Sequence, residues 1–202
     1  MTISQTISPR DPLQDATRDA TPDATQPPAQ DKSHEILQNR YFEDYFVGET
    51  MVFGDYLVTE EEIITFAKQY DPQIFHLDKE AAKHSSFGEL VASGWMTVGI
   101  LMRLMVLHFI SPKASMGSPG VDQIRWTQPV KPNDRLSLRM KIVDVKRSTS
   151  KPDRGMIWFD NELLNQHGQI VLTMRGMGMN RCRNAELNLP SNPLLSSLIK
   201  PL

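Results

Sequence analysis

The stretch Trp95 to Ile110, WMTVGILMRLMVLHFI, constrains the fold more than any other part of the chain, because its apolar residues fall on nearly every side of a helix. A helix of that character has to be covered on most sides. It is too short for a membrane span, which needs about 20 predominantly apolar residues, and Arg103 interrupts it. Cover must therefore come from protein. Ser93 stands where an N-cap belongs, and Ser111 with Pro112 ends the run.

The flanking sequence supplies the cover. Upstream, Met51 to Val58 reads as a strand enriched in β-branched and aromatic residues, and turn residue Gly48 precedes it. Thr59 followed three residues later by Glu62 is a capping-box signature, opening a helix that carries Ile63, Ile64, Phe66 and Ala67. Pro72 pushes Asp71 out of the helical region, so this helix ends by Tyr70 and DPQIFH is expected to be a loop. Asp78 can cap a short helix reaching Lys83, which the residues around Gly88 break.

Downstream of a loop from Met116 to Gly120 the period changes from helix to strand. Val121 to Pro129 is one candidate, and Arg135 to Lys146 is the clearest, with Leu136, Leu138, Met140 and Ile142 alternating against polar neighbours. The parity then shifts to Val143 and Val145, which predicts a bulge or twist. Met156 to Leu164 and Gln169 to Met179 form a pair joined by a turn over Asn165 to Gly168. One strand, then helices, then four antiparallel strands gives an α+β domain in which a single antiparallel sheet wraps a long buried central helix. Such a sheet covers only part of that helix. Dimerisation that extends the sheet and shares the core is expected, as a homodimer or a higher homo-oligomer.

The domain is expected over 39–183. Residues 1–38 repeat Asp-Ala-Thr and are rich in Pro and Gln, a composition expected to stay disordered because it offers little apolar surface to bury. Residues 184–202 form a C-terminal tail that turns Leu- and Pro-rich. A net charge of −2 with scattered basic residues speaks against nucleic acid as a partner, and no stretch speaks for a membrane. The single cysteine, Cys182, excludes an internal disulfide and a cysteine metal cluster. With no apolar signal core at the N-terminus, the protein is expected in the cytoplasm.

Two side chains in the DPQIFH segment could do chemistry. Asp71 and His76 lie five residues apart, close enough for a carboxylate and an imidazole to turn toward one water. On spacing alone the plainer reading, a turn-capping Asp and a satisfied core His, is favoured. Gly94 falls in the first turn of the apolar helix, where backbone N–H groups have no intrahelical partner and can bind developing negative charge. Simple clearance for helix packing explains a glycine there equally well.

FAKQYDPQIFHLDKEAA, followed after a short spacer by FGELVASGWMT, resembles the MaoC-type dehydratases and (R)-specific enoyl-CoA hydratases of the hot dog fold. The resemblance runs from about Tyr41 to Arg181 and includes the late PVKPNDRL stretch. The usual hydratase motif of that family is Gly-Asp-x-Asn-Pro-x-His-x-Asp. This chain matches a branch that reads Asp-Pro-Gln-x-Phe-His-x-Asp, through Asp71, Pro72, Gln73, Phe75, His76 and Asp78. The resemblance implies hydration of a trans-2-enoyl thioester carried on coenzyme A or an acyl carrier, or the reverse dehydration. Asp71 and His76 would activate the water, the Gly94 N–H would form the oxyanion hole, and Gln73, Phe75, Ser93 and Trp95 would contact substrate. It implies no metal and no cofactor.

The chain departs from the common motif at Tyr70, Gln73, Ile74 and Ser93, the last standing where a histidine often precedes the helix glycine. These differences touch the pocket and the acyl group it accepts, not the acid and base. Two other functions stay open: a hot dog thioesterase that aims water at the carbonyl carbon, and a non-catalytic acyl-thioester-binding subunit. Trp95, Met96, Met102 and Met105 could line an acyl tunnel, although residues at helical spacing are more often core.

Overall fold

In the computed structural model, which describes residues 39–183, a 3-10 turn at Phe42–Asp44 leads into β1 (Thr50–Leu57) and then α1 (Glu60–Tyr70). Two single-turn helices follow, α2 (Ile74–Leu77) and α3 (Lys79–Ala82), and then the long α4 (Gly94–His108). The last elements among the described residues are β2 (Val121–Trp126), β3 (Arg135–Arg147), β4 (Arg154–Leu164) and β5 (Ile170–Arg181). The two expected tails, 1–38 and 184–202, lie outside the described residues.

Local signals explain most boundaries. Thr59 Oγ1 accepts from the Glu62 N–H and Glu62 reaches back to the Thr59 N–H, both at 3.2 Å, so the capping box that opens α1 is closed. Asp78 Oδ1 accepts from the N–H groups of Glu80 and Ala81 and opens α3. The DPQIFH segment differs from its expected loop, because Ile74–Leu77 winds into one helical turn closed by the Asp78 N–H on the Ile74 carbonyl at 3.0 Å. A single turn carries no hydrophobic period, so the sequence had no means of announcing it.

The five strands form one antiparallel sheet in the order β1-β3-β4-β5-β2. The parity change in β3 is a bulge between Ile142 and Asp144, where the register with β4 slips. A second irregularity lies in β1, between Phe53 and Tyr56. Gly54 sits there at φ +84°, and a Cβ on it would come within 2.6 Å of the Leu104 side chain on α4. Glycine thus serves both the left-handed backbone and the close approach of helix to sheet. The β4-β5 hairpin turns at Asn165 to Gly168 as expected, with Gly168 at φ +72°.

The inward faces of the strands hold Leu136, Leu138, Met140, Ile142, Leu163 and Leu172 fully buried against α4. Each such side chain contributes about 1.5–3 kcal/mol relative to exposure. On α4 the buried stripe is Met96, Thr97, Ile100, Leu101, Leu104 and Met105. Trp95, Met102 and Val106 lie on the other side and are 62%, 47% and 50% exposed. One sheet of this size therefore covers about half of an all-round apolar helix and leaves the rest bare.

Candidate active site

Pro72 sets the position of Asp71. The Asp71 N–H still completes the last turn of α1 on the Ala67 carbonyl at 3.0 Å, while its backbone, at φ −150° and ψ 68°, turns the chain out of the helix. The α2 turn then lifts His76 into the interior, where it is 5% exposed. Two bonds tie this turn to the segment entering α4: Val91 N–H donates to the Phe75 carbonyl at 3.2 Å, and His76 Nδ1 lies 2.7 Å from the Val91 carbonyl oxygen. These contacts bring Asp71 Oδ2 and His76 Nε2 to 3.4 Å.

The hydrogen-bond pattern follows from the partners. A carbonyl oxygen only accepts, so His76 Nδ1 carries the hydrogen in that bond, and Nε2 is the ring nitrogen that faces Asp71. Ser93 Oγ donates to Asp71 Oδ2 at 2.7 Å, and Gln73 Nε2 donates to Asp71 Oδ1 at 2.7 Å. These two bonds, the Ser93 hydroxyl foremost, hold the Asp71 carboxyl below the usual carboxylate range. A carboxylate oxygen and an imidazole nitrogen therefore face each other where one water can bridge them.

Beside this pair opens a cleft of about 470 Å³, lined by Asp71, Gln73, Phe75, His76, Gly94 and Trp95 together with Phe87, Thr97 and the 126–130 segment. Of the residues expected from sequence, Gln73 reaches the cleft with its amide on Asp71. Phe75 packs edge-on against His76, ring centroids 4.5 Å apart, and Trp95 stands at the cleft, largely exposed. Ser93 is placed differently. It is fully buried behind the carboxylate, where its hydroxyl donates to Asp71 and accepts the Trp95 N–H at 3.2 Å. One hydroxyl thus fixes the Asp71 carboxylate and caps α4.

Gly94 is the first residue of α4, so its N–H has no acceptor within the helix. The glycine also has a packing reason. A Cβ at this position would lie 2.7 Å from Nε1 of Trp126, whose indole donates to the Gly94 carbonyl at 2.8 Å and meets Trp95 edge-on at 5.7 Å. Trp126 was not legible as a site residue. It ends an edge strand 32 positions away, and the only local signal is a large aromatic, 47% exposed, in a polar strand. Among the described residues no three of His, Cys, Asp or Glu are grouped to hold a metal ion.

This fold and this site define a class. A family model described as "MaoC like domain" matches residues 45–155, and the chain belongs to that family of hydratases and dehydratases. The MaoC-like dehydratase from Rhodospirillum rubrum is 36% identical with a TM-score of 0.67, covering 72% of this chain and 99% of that one, and the shared architecture is the hot dog fold. Among curated proteins, Protein MaoC of Klebsiella aerogenes is 28% identical over 134 residues, 65% of this chain. The match spans only 39% of that relative's length. The 3-hydroxyacyl-thioester dehydratase Z of Mycobacterium tuberculosis is 29% identical over 102 residues, 49% of this chain and 68% of the relative.

Proposed function

We propose that this protein adds water to the double bond of a trans-2-enoyl thioester, or removes it from a 3-hydroxyacyl thioester. The observation that carries the reading is the 3.4 Å pair of Asp71 Oδ2 and His76 Nε2, beside a cleft that the N-terminus of α4 also enters. A water donating to both groups presents its oxygen lone pair away from them, toward the substrate.

In hydration that oxygen bonds to C3. The C2=C3 π pair moves toward the thioester, whose carbonyl oxygen gains enolate charge beside the Gly94 N–H and the positive end of the helix dipole. The Asp71–His76 pair takes a proton from the water and returns one to C2, so that H and OH are added across the bond with no redox change. A positioned acid or base is worth about 10² to 10⁴ in rate, and one oxyanion donor about 10² to 10³. Gln73 and Ser93 act by holding Asp71 ionised and aimed, while Phe75 and Trp95 form the walls that meet the acyl thioester. The name of the M. tuberculosis relative, a 3-hydroxyacyl-thioester dehydratase, supports the substrate class.

The bare face of α4 supports a further part of the proposal, a homodimer in which two copies cover each other's exposed Met102 and Val106. The chemistry is tested with crotonyl-coenzyme A and purified protein, following both the conjugated double bond and free thiol. Loss of the double bond without thiol release is expected. Thiol release with the double bond intact would show a thioesterase, and no change in either would leave a thioester-binding subunit.

A further inference from the structure

The first peptide group of α4 is held from outside the helix. The Trp126 indole N–H donates to the Gly94 carbonyl at 2.8 Å. On the other end of the same peptide group the Trp95 N–H donates to Ser93 Oγ at 3.2 Å, and the Ser93 hydroxyl donates to Asp71 Oδ2 at 2.7 Å. Every donor in this run points toward the carboxylate oxygen that faces His76 Nε2. Hydrogen bonds in series polarise one another, so each bond strengthens the next. Trp126, Gly94 and Asp71 line one cleft, and Ser93 is fully buried behind it.

The need to satisfy a buried indole does not explain the first bond. Trp126 is 47% exposed, so water could serve its N–H in place of the Gly94 carbonyl. The fold nonetheless commits two features to this contact. A Cβ at position 94 would lie 2.7 Å from Trp126 Nε1, so glycine is what admits the indole. The segment carrying Trp126 is also tied at both ends: Trp126 pairs with Leu172 on β5, and the Thr127 N–H donates to the Val171 carbonyl at 3.0 Å. Four residues further on, the Val130 carbonyl accepts the Ala92 N–H at 2.8 Å, just ahead of α4. The indole therefore fastens the mouth of α4 to the sheet.

The geometry points to Trp126 as a positioning residue for the reaction: its indole N–H, acting through the Gly94–Trp95 peptide group and the Ser93 hydroxyl, keeps the Asp71 carboxylate aimed at the cleft. The assignment rests on the function proposed above. Trp126 also meets Trp95 edge-on, ring centroids 5.7 Å apart. Phenylalanine can supply that ring contact, but it has no N–H to give.

Full-length Trp126→Phe tests the N–H alone. For crotonyl-coenzyme A hydration kcat should fall about two- to tenfold, the loss of one neutral hydrogen bond, with a smaller change in KM. The Asp71 titration, read from its carboxyl resonance, should move upward toward 3.8. In a Ser93→Ala background the same substitution should leave that titration where Ser93→Ala alone puts it, because the run of bonds is already cut. An unmoved titration in Trp126→Phe, or an equal shift in both backgrounds, overturns the assignment. Asp71→Asn gives a reading with Trp126 intact: the Trp126 indole proton should move upfield of its wild-type position while that of Trp158 stays. An unmoved Trp126 proton overturns the assignment as well. These resonances need no turnover. A protein that shows the shifts without hydrating keeps Trp126 as the residue that holds Asp71 and loses only the proposed reaction, whereas a hydrating protein without the shifts loses the role of Trp126.

Discussion

At the residue scale the site depends on how Asp71 is held. Its carboxyl lies below the ordinary range because Ser93 and Gln73 donate to it. A lowered folded pKa means that ionisation of Asp71 favours the folded state above the ordinary carboxylate range, and this contribution disappears as pH falls through the folded pKa. Ser93→Ala should therefore move the Asp71 titration upward toward 3.8, read from its carboxyl resonance, and lower kcat. An unmoved titration would show that the Ser93 bond does not hold the carboxylate. The proposed acid and base could be picked out in the sequence because Pro72 fixes where α1 stops and both residues lie in one short segment. The holding bond was not, since Ser93 stands 22 residues from Asp71 and only the fold brings its hydroxyl there.

At the element scale α4 carries both the cap and the proposed oxyanion donor. Ser93→Ala also removes the N-cap, and a loss of about 1 kcal/mol in urea unfolding is expected. Gly94→Ala drives a Cβ toward Trp126, so activity should fall through displacement of the helix mouth while the unfolding midpoint changes less than in a core mutant. In β1, Gly54→Ala meets both a left-handed backbone and Leu104, and should cost about 1–2 kcal/mol in urea unfolding. The capping box of α1, the cap of α3 and the β3 bulge were all readable, because each is written in neighbouring residues. The Gly54 irregularity was hidden in a strand pattern, and the α2 turn was too short for any period to show.

At the scale of the whole molecule, the sequence called for a sheet around a helix, but the order β1-β3-β4-β5-β2 was not legible. No local pattern says that β2, which follows α4 directly, pairs with the last strand at the sheet edge. The exposed face of α4 is where the proposed second copy would pack. Val106→Asp puts a charge on that bare face, and sedimentation should show a dimeric wild type and a monomeric variant; a wild type that sediments as a monomer would contradict the shared face. The central claim is that Asp71 and His76 jointly move the protons of hydration. The most direct measurement is kcat/KM for crotonyl-coenzyme A hydration by the wild type, Asp71→Asn and His76→Ala. A loss of about 10² to 10⁴ in each variant, with folding intact, is the predicted result. Equal rates in all three proteins would contradict it.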